Sequence, residues 1–125
     1  MQLDDYAFQS LINSAVASLP QSHIDALKNV AIVYADQPTE EQRQQLKLHD
    51  DETLFGLYEG VPLPQRNGQT APLPDKITIF KQPLLMASAS ADDMREKVRH
   101  TVWHEVAHYY GLNHDQIREL ENGRR

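Results

Sequence analysis

The residues with the clearest chemical potential are His104, Glu105, His108 and His114, which stand in the run HEVAHYYGLNH over residues 104–114. On a helix, side chains four apart lie one turn apart on the same face. His104 and His108 can therefore offer two imidazoles to one metal ion. Glu105 lies about 100° round the helix from His104, near enough to reach a water on that metal without ligating it. Gly111 allows a sharp turn off the helix axis, which brings His114 back as a third ligand. Three neutral imidazoles around zinc leave the fourth tetrahedral position open to water, the arrangement of a catalytic rather than a structural zinc. From this chain's own His, Glu and Gly frequencies, a chance H-E-x-x-H has a probability of about 2 in 100; adding the glycine and the third histidine lowers it to about 3 in 100,000.

These residues need elements to hold them. Ser90 is a candidate N-cap for a long helix reaching Tyr110; Asp92 and Asp93 suit the positive end of its dipole, and Gly111 suits a left-handed C′ position. Val98, Val102, Trp103 and Val106 form its apolar stripe. Asn113 can cap a final helix from 114 to about 121, with Gln116 as its capping-box partner and Asp115 at its N-terminus. Earlier, Tyr6, Phe8, Leu11, Ile12, Ala15, Val16 and Leu19 recur at helical spacing within residues 3–19, which end at Pro20. Residues 22–28 predict a second short helix, and Thr39 with Gln42 caps a third running to about Leu48. The runs VAIVYA (30–35), TLFGLYE (53–59) and KITIF (76–80) predict strands. The order α-α-β-α-β-β-α-α predicts an α+β fold in which a short mixed sheet packs against helices.

The 125 residues are the size of one domain, which we take to span 1–125. With no cysteine, any metal must be held by imidazole and carboxylate. A net charge of −6 disfavours phosphate backbones, so no nucleic acid partner is expected. No apolar run is long enough to span a bilayer and the N-terminus carries no secretory pattern, so the expected compartment is the cytoplasm. Nothing in the sequence bears on oligomeric state. His23 and His49 lie in polar surroundings and read as surface residues. His100, one turn before His104, reads as a solvent-facing polar residue, the alternative being a rim residue of the site.

The motif, together with LFGLYEGVPL (54–63), LPDKITIF (73–80) and the segment Val98–His114, resembles the minimal zincins, small bacterial zincin-like metallopeptidases. The resemblance implies an α+β fold with one zinc per chain on the long helix, hydrolysis of a peptide or protein substrate, and Glu105 as general base. His114 and Asp115 are similar to the corresponding positions of metzincins, but the 11 residues after His114 include no Met, so a metzincin Met-turn is not expected. Tyr58, Tyr109 and Tyr110 are candidates for donating to the oxyanion, with Tyr110 favoured instead as packing beside Trp103 and Val106. Asp115 is a candidate for orienting a ligand imidazole. In zincins an edge strand near the metal pairs with substrate backbone; the resemblance implies that strand 53–59 flanks the cleft, with Gln65–Thr70 as a flap above it. Three other readings compete: a zinc-binding interaction module without hydrolytic activity, an endoribonuclease with similar histidine spacing, and a structural zinc site. The endoribonuclease pattern lacks Glu105 and usually has a basic groove, and a structural site usually has four protein ligands.

Overall fold

The computed structural model describes residues 3–27, 30–45, 54–60 and 75–111. Helix α1 (Asp5–Ala17) begins where the Asp4 carboxylate accepts from the Ala7 N–H at 2.7 Å, satisfying one of the first-turn donors that have no partner within the helix. Helix α2 (Gln21–Ala26) follows Pro20 directly. Strand β1 (Val30–Ala35) occupies the β-branched run from end to end. Helix α3 (Glu40–Gln45) opens on a reciprocal capping box. There the Gln42 N–H donates to the Thr39 hydroxyl at 3.1 Å, and the Thr39 N–H donates to the Gln42 side chain at 2.9 Å.

Strands β2 (Gly56–Glu59) and β3 (Asp75–Phe80) complete a three-stranded sheet of order β1-β3-β2. β1 runs parallel to β3 and β2 antiparallel to it, so the sheet is mixed and the fold is α+β. Register places Val30, Ile32 and Tyr34 beside Asp75, Ile77 and Ile79 on one face. Gly56 and Tyr58 lie on that same face, opposite Ile79 and Ile77. Phe8, Ile12, Ile77, Ile79, Leu84, Met94, Val98 and Val102 fill the core between this face and the helices, each at most 1 % exposed.

Helix α4 (Lys81–Ala87) was not anticipated from the sequence. Its Pro83 sits in the first turn, where the missing N–H would have had no helical partner. Lys81 is buried, and its ammonium reaches the Asp5 carboxylate at 3.1 Å, tying α4 to the start of α1. The element order matches the predicted string over the described residues only because α4 fills a place assigned to another helix. The predicted helix at 114–121, the 61–74 connection with its flap, and His49 all lie outside the described residues.

Helix α5 (Ala91–Tyr109) packs on α1, β2, β3 and α4. It meets β2 at a glycine for steric reasons. A Cβ at Gly56 would fall 2.7 Å from the Thr101 Cγ2 and 3.2 Å from the Glu105 Cγ. Gly56→Ala should therefore cost about 1–3 kcal/mol through overpacking. Urea unfolding should show the loss, and adding Thr101→Ser, which removes the offending methyl and keeps the hydroxyl, should recover most of it. Recovery absent from the double variant would mean that this contact does not set the strand–helix spacing.

Candidate metal centre

The helix that carries the motif is fixed at both ends by local signals. The Ser90 hydroxyl accepts from the Asp93 N–H at 3.1 Å, and the Asp93 carboxylate accepts in return from the Ala89 N–H at 2.9 Å. A bond from the Lys97 ammonium, one turn on, holds Asp93 below the usual carboxylate range. At the far end Tyr110 is the C-cap, and Gly111 takes φ +85°, the left-handed conformation that ends the helix. Between these caps Val98, Val102 and Val106 are buried, which fixes the rotation of α5 and sets where its histidines point.

His104 and His108 emerge half-buried on one side of α5 with ring centroids 4.8 Å apart. Glu105 turns inward toward β2 and is 6 % exposed. Its Oε1 lies 3.7 Å from the His108 Nδ1, beyond hydrogen-bond range but in the same small space. Burial raises the Glu105 carboxyl to about 7, opposed by a hydrogen bond from the Tyr58 backbone N–H. That bond follows from strand register. The Phe80 N–H donates to the Phe55 carbonyl, so in the antiparallel alternation Gly56 and Tyr58 turn their backbone polar groups away from β3. Since β2 is an edge strand, those groups face outward, and the Tyr58 N–H meets Glu105.

Two of the three predicted ligands are thus brought together with the predicted base. His114 and Asp115 lie outside the described residues, and among the described residues no set of three His, Asp or Glu side chains is gathered for a metal. The donor chemistry suits zinc: two imidazoles one turn apart, a carboxylate beside them and no thiolate in the chain.

The tyrosines divide by position. The Tyr58 hydroxyl donates to the Asp75 carboxylate, while the Tyr58 ring packs edge-on against Tyr109 at 5.9 Å. Tyr109 is 3 % exposed and belongs to the core. Tyr110 packs against Tyr109 and His23 and lies against the core that includes Val106. His23 is accordingly half-buried rather than on the open surface. His100 is exposed, 6.2 Å from the His104 ring and 6.5 Å from Trp103, which is itself only half-buried. A groove lined by Phe55, Glu96, Lys97, His100 and Thr101 runs beside this end of the histidine face. The feature that the sequence reading missed is Asp75, a buried carboxylate beside the site. Its only sequence signal is an acidic residue in step with Ile77 and Ile79, on the apolar side of an alternating strand.

A family model for zincin-like metallopeptidases matches residues 27–124. Among solved structures, a conserved hypothetical protein from Thermo thermophilus is similar at 18% identity, with a TM-score of 0.56. The alignment covers 98% of this chain and 100% of that one. At that identity the likeness concerns the fold alone. No curated protein matches the chain.

Proposed function

Since the chain belongs to the family of zincin-like metallopeptidases, we propose that it is a zinc-dependent peptidase with Glu105 as its general base. The observation that best supports this is the placement of a buried carboxylate beside two imidazoles one helical turn apart. His104, His108 and His114 would hold one zinc per chain. When bound, that zinc supplies Lewis acidity toward a water and a peptide carbonyl. Glu105 takes the proton of the attacking water and delivers it to the leaving amine. Burial suits it to this task, because desolvation makes a carboxylate a stronger proton acceptor than an exposed one. The Tyr58 N–H fixes the carboxylate's orientation.

The substrate on this reading is a peptide in extended conformation. β2 lies at the sheet edge against the metal helix, so a substrate backbone can run along its outward-facing groups other than the Tyr58 N–H, which Glu105 takes. A side chain could then enter the groove bounded by Phe55 and Thr101. Nucleic acid is not proposed as a substrate, because the chain carries a net charge of −6. No helix among the described residues is long and apolar enough to cross a membrane. Loaded with zinc, the protein should cleave an unfolded polypeptide. Stripped of metal it should not, and added zinc should restore cleavage. A loaded protein that leaves every unfolded chain intact would overturn the proposal.

A further inference from the structure

Asp75 opens β3 and is 2 % exposed. A carboxylate is rarely buried so completely unless its oxygens are satisfied. One of them accepts the hydroxyl of Tyr58. Room beside it is kept by Gly60, where a Cβ would fall 2.4 Å from the Asp75 Cγ. Tyr58 is thereby held at two points, its hydroxyl on Asp75 and its backbone N–H on Glu105. Tyr58 and Asp75 share the sheet face that meets the helices, since Tyr58 pairs with Ile77, two residues on from Asp75.

We propose that Asp75 is a positioning residue for Glu105: by anchoring the Tyr58 hydroxyl it fixes β2 so that the Tyr58 N–H meets the carboxylate. The inference deepens the peptidase reading and rests on it for the consequence in catalysis, while the geometry can be measured in zinc-free protein. Gly56 serves the same end by letting β2 approach α5 closely enough for the bond to form.

The test follows the residue-58 amide by ¹⁵N NMR and hydrogen exchange in the zinc-free full chain. In the wild type this amide should be protected, and Glu105→Gln should shift its proton resonance, because a bond to a carboxylate is the stronger one. Tyr58→Phe removes only the hydroxyl, and Asp75→Leu removes the acceptor. Each should speed exchange at residue 58 by about tenfold, the effect of one lost hydrogen bond. The amides of Ile77 and Ile79, on the strand paired with β1, should hold their wild-type rates. Asp75→Asn keeps an acceptor oxygen and should preserve most of the protection. Should Asp75→Leu fail to fold, Tyr58→Phe carries the test alone. An unchanged residue-58 amide in Tyr58→Phe would overturn the proposal, as would equal acceleration at Ile77 and Ile79, which would mark a general loss of stability. In zinc-loaded protein, Tyr58→Phe should lower kcat while zinc content and KM hold. A chain that cleaves nothing yet shows the amide changes would refute the peptidase reading and support the positioning role.

Discussion

His108→Ala should yield a folded protein that no longer holds zinc. Position 108 lies inside α5, is only half-buried and stands outside the apolar core. Alanine is the strongest helix former, so secondary structure should be retained. On the proposed ligand set, removing one of three imidazoles takes away a direct metal bond. Losing even an outer partner of a ligand typically costs 10–100-fold in affinity, so the deficit here should exceed about 100-fold. Metal analysis after dialysis should give about one zinc per wild-type chain and almost none for the variant. Because imidazole binds metal only when neutral, wild-type zinc should also be released progressively as acid protonates the histidines. Full zinc occupancy in His108→Ala would place the metal elsewhere.

Glu105→Gln should separate chemistry from structure. The amide has nearly the shape of the carboxylate and can still accept from the Tyr58 N–H, so the packing against Gly56 should be unchanged. Burial already disfavours the charge on Glu105, so removing it sacrifices no strong ion pair. Melting temperature and zinc content should therefore stay close to wild type. Peptide hydrolysis should fall by a factor of about 100 or more, since glutamine cannot take the proton from water. Equal cleavage by variant and wild type would remove Glu105 from the base's role.

Much of this arrangement was legible in the sequence because its determinants are local. The Ser90 cap, the valines at turn spacing and Gly111 all act within a few residues, and together they predicted the span and rotation of α5. The same holds for the Thr39–Gln42 box and for the β-branched run of β1. What escaped notice depends on distant neighbours. Only the meeting with Thr101 explains Gly56, and only the turn of β2 toward Asp75 commits the Tyr58 hydroxyl. The rotation of α5 sends Tyr109 into the core below Glu105, leaving His104 and His108 on the more open side. Helix α4 spans fewer than two turns and includes a proline. It is held partly from outside, by the Gln82 N–H donating to the Asp36 carbonyl and by the Lys81–Asp5 pair.

The central claim, that this site hydrolyses peptide bonds, is tested most directly by digesting a peptide library and reading the products by mass spectrometry. Three preparations suffice: zinc-loaded wild type, the same protein stripped with a chelator, and zinc-loaded Glu105→Gln. The account predicts a defined set of cleaved bonds with the first, none with the second until zinc is restored, and the same set with the third at a rate lower by a factor of about 100 or more. An intact library with the fully loaded wild type would contradict it and leave a zinc-binding interaction module, and products that survive metal removal would contradict it as well.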